Sequence, residues 1–162
     1  ELCDKHKGEI LSIIGDSFLI AIKNITNLYT FLKQFDQQWT DFLSNQDNSL
    51  NYINMGINNA TVLKYKNRTF GSQLNSCARM ESGAALQQKK NNLKGNGFIL
   101  TNEIFQEFKE NNLYRQSEFI KVKDFSNKSS SHNQIITSWE KEAKRQNKDI
   151  DKFLPFYMFT PN

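Results

Sequence analysis

The chain has 162 residues, a hydrophobic content of 38% that includes thirteen Phe, and a formal net charge of +4. This length and composition predict one globular domain, 1–162, that buries a real core. No apolar run approaches the length of a membrane helix, which argues against a membrane partner. The net positive charge favours anionic partners.

The first half of the chain predicts a strand hairpin followed by a helix. Residues 9–14 and 17–22 are rich in apolar and β-branched side chains, and Gly15-Asp16 joins them as a tight turn. Residues 26–43 place apolar side chains at helical spacing, which predicts an amphipathic helix.

The second half predicts further strands and helices. Residues 52–57 and 60–65 alternate like strands on either side of Asn58-Asn59, which predicts a second hairpin turn there. The remaining predicted elements are, in order, a helix over 71–90, a strand over 98–100, a helix capped by Thr101 or Asn102 and running through Lys109, a strand over 119–125, a polar loop and charged helix inserted over 126–150, and a strand over 153–159. This order predicts an α+β fold in which helices pack on one mostly antiparallel sheet.

The cysteines and the distribution of charge bear on the cellular location and on the partners of the protein. The two cysteines fit no metal spacing and no signal segment opens the sequence, so we expect reduced thiols and a cytoplasmic location. The dense basic cluster over 141–148 alternates with acids, which is typical of a solvated helix face. We therefore expect no nucleic-acid partner, whereas a nucleoside triphosphate suits the positive charge equally well.

The chemistry of the predicted turn and helix points to nucleotides. Asp16 presents a carboxylate at the hairpin turn, where aspartate is either a metal ligand or an ordinary turn former. Asn75 and Arg79 are four residues apart and therefore share one helix face. That face is either part of a nucleotide site or simply the polar, solvated side of the helix. A carboxylate for a divalent cation, together with an amide and a guanidinium, is what phosphoryl chemistry on a nucleotide requires. The glycine-rich nucleotide loops are absent from the sequence.

These segments resemble the catalytic domain of class III nucleotidyl cyclases over roughly residues 7–105. In that family a strand–Gly-Asp–strand hairpin precedes a helix that carries Asn-x-x-x-Arg. The string from Leu74 to Glu81 is close to the family pattern Val-Asn-x-Ala-Ala/Ser-Arg-hydrophobic-acidic. The resemblance implies a ferredoxin-like core and an enzyme that converts a nucleoside triphosphate to a 3′,5′-cyclic monophosphate and pyrophosphate.

The resemblance also implies roles, cofactors and assembly. Asp16 would bind catalytic Mg²⁺ or Mn²⁺, with two ions expected, and Asn75 and Arg79 would orient the ribose and stabilise charge on the α-phosphate. Lys123 resembles a late-strand lysine of the family that binds the β- and γ-phosphates. The family builds its sites at a homodimer interface, so Asp16 and the Asn75–Arg79 pair are expected to serve different nucleotides.

The sequence departs from the family at several positions. The family's second metal-binding aspartate belongs to a strand tens of residues upstream, before the place where Glu1 stands. Either that strand lies upstream of the given sequence, or the protein lacks the second carboxylate. The second case gives the alternative function, a cyclase-like domain that has lost catalysis and serves as a regulatory or dimerising partner. The positions that select the base hold Ser12 and Arg68, whereas adenylyl cyclases commonly carry Lys with Asp or Thr, and guanylyl cyclases tend to carry Glu with a small residue.

Arg68 offers donors that suit pyrimidine O2 and N3, although it is equally well placed to be an exposed turn residue. With these departures the chain looks like the bacterial pyrimidine cyclases of anti-phage (Pycsar) defence, which implies CTP or UTP as substrate and cCMP or cUMP as product. An adenylyl or guanylyl cyclase with atypical base-reading residues is the alternative.

Overall fold

The computed structural model describes residues 1–46, 51–66, 68–71, 74–90, 92–122, 141 and 154–161. The fold is α+β, as the sequence predicts, with antiparallel pairing and packed helices. The elements, in chain order, are α1 (Leu2–Lys5), β1 (Gly8–Ile14), β2 (Ser17–Ile22), α2 (Ile25–Ser44), β3 (Asn54–Ile57), β4 (Leu63–Tyr65), β5 (Arg68–Phe70), α3 (Leu74–Lys90), β6 (Gly97–Leu100), α4 (Asn102–Glu110), a 3-10 helix (Gln116–Glu118), β7 (Phe119–Lys121) and β8 (Tyr157–Phe159).

A central sheet of four strands, in the order β3-β6-β8-β7, separates two helical layers. Successive side chains of a strand point to opposite faces. Phe98 and Leu100 of β6 therefore pack with residues of α2 and α4, while Ile99 packs with Met80 of α3. All four residues of β6 are buried, so this strand lies at the centre of the core.

Helix α2 is fixed to the sheet by a buried ion pair as well as by apolar packing. Lys33 Nζ lies 2.6 Å from Glu118 Oε1, and the Tyr29 hydroxyl donates to Glu118 Oε2 at 2.5 Å. Glu118 is almost fully buried, and these two donors satisfy its carboxylate. Burial, followed by the hydrogen bond to Glu118, raises the pKa of Tyr29 to about 12. This cluster joins α2 to the 3-10 helix that precedes β7.

The prediction of a hairpin turn at Asn58-Asn59 is wrong. Strand β3 instead pairs in parallel with β6, and β4 pairs with β5 around a turn that begins at Lys66, whose φ is +54°. Local alternation predicted β3 and β4 but not their partners. No strand was predicted over Arg68–Phe70, and β3 pairs with a buried strand that is distant in sequence.

Two further predictions reach beyond the described part of the chain. Strand β7 is seen at Phe119–Lys121, whereas the strand was predicted to run to residue 125. The inserted loop and helix over 126–150 lie outside the described residues apart from Lys141, which is helical. Within the described ranges, no helix is long and apolar enough to cross a membrane.

Candidate functional site

The β1–β2 hairpin forms where the sequence predicts it and displays Asp16 at its tip. Ile14 pairs with Ser17, which leaves Gly15 and Asp16 as a two-residue turn. Gly15 has a φ of +61°, while Asp16 is not among the residues of positive φ. This combination is typical of a type II′ turn, which favours glycine at its first position. The turn leaves Asp16 exposed, so its carboxylate is open to a ligand.

Helix α3 lies against β3 because residue 56 is glycine. A Cβ on Gly56 would overlap the carbonyl oxygen of Cys77 and lie 2.5 Å from Cβ of Met80. The absent side chain therefore allows the helix to approach the strand directly. The helix begins at Leu74, three residues later than predicted, so Asn75 and Arg79 belong to its first two turns. The backbone places them one turn apart, as their spacing requires.

The Asp16 carboxylate at the hairpin tip acts electrostatically on Glu81 of α3. Burial is the main cause that raises the pKa of Glu81, and the carboxylate of Asp16 raises it further. Glu81 lies two residues after Arg79, so the tip is close to the second turn of α3. Sequence reasoning did not assign Glu81 to the site; its acidic position at the end of the Leu74–Glu81 string was the available signal.

The β4–β5 hairpin brings Arg68 to the same region as Ser12. The Thr69 hydroxyl donates to the carbonyl oxygen of Leu11 at 3.3 Å, and Lys64 forms an ion pair with Glu9. The neighbours of the two predicted base-reading residues are therefore in direct contact. Ser12 is half-buried on β1, beside a register shift at position 11, and Arg68 is exposed on β5.

The cysteine of α3, Cys77, is a half-buried free thiol. Burial raises the pKa of the Cys77 thiol to about 11, and a hydrogen bond from the backbone of Asn58 opposes that rise. A thiol with this pKa is almost entirely protonated at neutral pH and is a poor nucleophile. Cys3 and Cys77 are both free, as expected from the sequence.

The described residues contain no group of three or more His, Cys, Asp or Glu side chains that would hold a metal ion. Asp16, with Glu81 nearby, is the carboxylate that the fold presents at this place. Mg²⁺ is commonly held by one or two carboxylates together with substrate phosphates, so Asp16 fits a nucleotide-bound ion and not a cage built from protein alone. Lys123, predicted to bind phosphate, lies outside the described residues.

The fold is similar to that of an adenylate/guanylate cyclase/hydrolase from Silicibacter pomeroyi, whose crystal structure is known. The TM-score is 0.59 at 13% sequence identity, over 99% of this chain and 76% of that chain. At that identity the likeness shows a cyclase-like fold. No protein-family model matches the chain, and no curated protein matches it in sequence.

Proposed function

We propose that the protein is a class III-type nucleotidyl cyclase, which converts a nucleoside triphosphate to a 3′,5′-cyclic monophosphate and pyrophosphate. One observation carries the proposal: a cyclase-like fold, similar over 99% of the chain, contains both an exposed Gly15-Asp16 turn and the helix that bears Asn75 and Arg79. A fold alone supports many activities, so these residues carry the argument.

In the proposed reaction the ribose 3′-hydroxyl attacks the α-phosphorus, the bond to the β-phosphate oxygen breaks, and the hydroxyl proton leaves to solvent. Asn75 orients the ribose, and Arg79 stabilises the charge that develops on the α-phosphate through its fork of donors. Lys123 binds the departing β- and γ-phosphates.

Asp16 would hold Mg²⁺ or Mn²⁺ on the triphosphate. Ions bound there, two in the complete site, would lower the pKa of the 3′-hydroxyl and neutralise triphosphate charge. The carboxylate suits this role because hard divalent cations prefer oxygen ligands. Its place at the tip of a hairpin leaves its oxygens free for a ligand.

For the base, Arg68 and Ser12 favour CTP or UTP. The Arg68 guanidinium offers only donors, and pyrimidine O2 and N3 of cytosine are acceptors. Strand contacts between β1 and β5 hold the two residues in one region, which supports a common task. A role for a cyclic pyrimidine nucleotide in anti-phage signalling follows from the family resemblance.

The test is turnover by the chain, extended upstream if its gene encodes more, with Mn²⁺ and ATP, GTP, CTP or UTP supplied separately. Mass spectrometry of the products separates cyclisation from simple hydrolysis. We expect cyclic product and pyrophosphate from CTP or UTP. Cyclic product from ATP or GTP alone would reject the assignment of Arg68 and keep the enzyme. No product from any of the four, by a folded protein, would favour the inactive regulatory module.

Substitutions test which residues carry out catalysis and base selection. Asp16→Asn and Arg79→Ala should each lower the rate by about 10²–10³-fold, the usual cost of losing a group that stabilises developing charge. Asp4→Asn is the matched control, because Asp4 is likewise an exposed aspartate but lies on α1. Arg68→Ser should lower kcat/KM for the pyrimidine substrate by about tenfold, which corresponds to about 1.4 kcal/mol.

A further inference from the structure

A pocket of about 390 Å³ opens at the end of α3 that is remote from the proposed catalytic residues. Near its start, α3 packs against β3, where Met80 lies on Gly56, and near its end Gln88 lies on Gly97 at the start of β6. A helix rises about 1.5 Å per residue, so Arg79 and Gln88 lie about 13 Å apart along the axis. The pocket, which Gln88 lines, is therefore separate from the site proposed for the triphosphate.

A carboxylate on α2, that of Asp36, lines this pocket and is held in place by the protein. Its Oδ1 accepts a hydrogen bond of 2.9 Å from Nδ2 of Asn96, a residue that is 5% exposed. The Asn96 amide is itself fixed, because its Oδ1 accepts from the backbone N–H of Ile53 at 2.9 Å. The position of the carboxylate thus depends on a buried amide that is tied to the backbone before β3.

The charge of Asp36 has no cationic partner in the part of the chain that the structure describes. Burial raises the pKa of Asp36, and the hydrogen bond from Asn96 opposes that rise. A carboxylate withdrawn from water is normally paired, because one neutral donor does not replace its hydration. Carboxylate oxygens offer about four lone-pair sites, so both oxygens of Asp36 can still accept from a ligand.

The lysine of the lining does not supply that partner. Lys94 lies on the connection between α3 and β6 and is exposed. It forms no ion pair with Asp36 among the pairs of the described residues. A cationic ligand would therefore have no existing partner to displace from the carboxylate.

The rest of the lining includes apolar groups and an aromatic ring. Tyr52, 46% exposed, lines the pocket from the segment before β3, while Met158 and Pro161 line it from β8 and the residues that follow. The Trp39 indole donates to the carbonyl oxygen of Asn51 at 3.2 Å, which ties the segment carrying Tyr52 to α2. Aromatic faces attract organic cations, and planar cations also stack on them. The lining therefore suits a cationic head on a flat or apolar body.

We propose that this pocket binds a small organic cation of the amidinium or guanidinium class, with its N–H groups on the Asp36 carboxylate. The planar fork of such a cation matches a carboxylate with two parallel hydrogen bonds, whereas an ammonium acts as a point charge. The flat body lies along Tyr52. The volume is sufficient, since small-molecule sites are typically about 300–1,000 Å³. The inference does not rest on the cyclase activity.

The first experiment compares benzamidinium with benzamide, which has nearly the same shape but no charge, by two-dimensional NMR of the wild-type chain. Benzamidinium should shift the backbone signals of Tyr52, Gly95 and Asn96, which line the pocket. Benzamide should bind at least about tenfold more weakly, because it lacks the charge that strengthens the hydrogen bonds. No binding of benzamidinium, equal binding of the two molecules, or shifts confined to another surface would overturn the proposal.

Asp36→Asn separates ligand binding from a purely structural role of Asp36. The variant keeps an oxygen that can accept from Asn96, but it removes the charge. It should raise the benzamidinium Kd by about tenfold or more, the usual cost of removing one partner of a desolvated charge pair. Asp41→Asn is the matched control, since Asp41 is also on α2 but is exposed and bonded to Gln37. Equal effects of the two substitutions would reject the assignment of Asp36.

Two further substitutions test the remainder of the lining. Tyr52→Leu should raise the Kd by about two- to fivefold, the range expected for loss of an exposed cation–π contact. Lys94→Gln should leave the Kd unchanged or lower it, because it removes a like charge from the rim. A marked loss of affinity in Lys94→Gln would show that the bound group is not a cation.

A divalent metal ion is the other ligand that an unpaired carboxylate attracts, and competition distinguishes it. Excess Mg²⁺, compared with NaCl of equal ionic strength, should leave the benzamidinium Kd within about twofold, because Mg²⁺ sites usually need more than one protein carboxylate or a bound phosphate. Displacement of benzamidinium by Mg²⁺ alone would identify a metal site and reject the organic cation.

Discussion

The central sheet and the two hairpins use apolar side chains in opposite ways. In the sheet, β6 is buried along its whole length between α3 on one face and α2 and α4 on the other. In the hairpins, large apolar side chains such as Ile13, Phe18, Leu63 and Tyr65 remain exposed. Burial in the sheet explains how the chain folds, whereas the exposed side chains of the hairpins contribute little to that core.

The residues with proposed chemistry follow the same division. Asp16 and Arg68 lie on the hairpins, which are not hydrogen-bonded to the central sheet among the described strands. Asn75 and Arg79 lie on α3, which the sheet holds firmly. The molecule therefore combines a rigid platform with peripheral hairpins, and substitutions in the two regions should affect different properties.

The largest difference in folding free energy is expected between substitutions of two glycines, one in the central sheet and one in a hairpin. Gly56→Ala should cost at least about 3 kcal/mol of folding free energy, because the new methyl group meets the α3 backbone and neither element can move freely. Gly15→Ala, in the hairpin turn, meets no atom within 4 Å and should cost only about 1–2 kcal/mol for its positive φ. Chemical denaturation measures both values, and equal losses would contradict the division into platform and hairpins.

A second contrast compares two ion pairs. Lys33→Met leaves the buried carboxylate of Glu118 without its cation and should cost about 3 kcal/mol. Lys64→Met removes the exposed pair with Glu9 on the hairpins and should leave the free energy of unfolding nearly unchanged. Denaturation curves of the two variants under one buffer give the comparison. A large loss at Lys64 would show that the hairpins contribute to stability more than their exposure indicates.

The sequence predicted local features well and distant pairings poorly. The β1–β2 hairpin and α2 follow from turn chemistry and periodicity, which a short window contains. The parallel pairing of β3 with β6 depends on residues far apart in the chain, so the apparent turn at Asn58-Asn59 was misleading. Burial of Glu118 was equally invisible, because its partners come from α2.

In the candidate site, too, the sequence predicted the local motifs but not the contacts between distant segments. Asp16, Asn75 and Arg79 were recognisable from short motifs, and their segments form the predicted hairpin and helix. The proximity of Asp16 to Glu81 was not predictable, because it depends on how the hairpin packs relative to α3. Their catalytic roles stay predictions until turnover is measured.

The smallest expected effect is on the pKa of Glu81, and it tests the proximity of Asp16 to Glu81. Burial and the Asp16 carboxylate both raise this pKa, so Asp16→Asn should lower it while leaving it above its ordinary value. NMR titration of the side-chain carboxyl measures the change, and Asp4→Asn should leave the pKa unaltered. An unchanged pKa in Asp16→Asn would mean that the Asp16 carboxylate does not act on Glu81 in solution.

The sign of the linked stability follows from the same shift. A raised pKa means that the folded protein holds the Glu81 proton more tightly than the unfolded chain does. The stabilisation is complete at pH values below the unfolded pKa and is lost as pH rises through the folded pKa. Glu81→Gln should remove this dependence, and Asp16→Asn should reduce it. Because both substitutions act on one helix and one hairpin tip, a parallel change in pKa and in pH-dependent stability would locate the coupling between the platform and the hairpins.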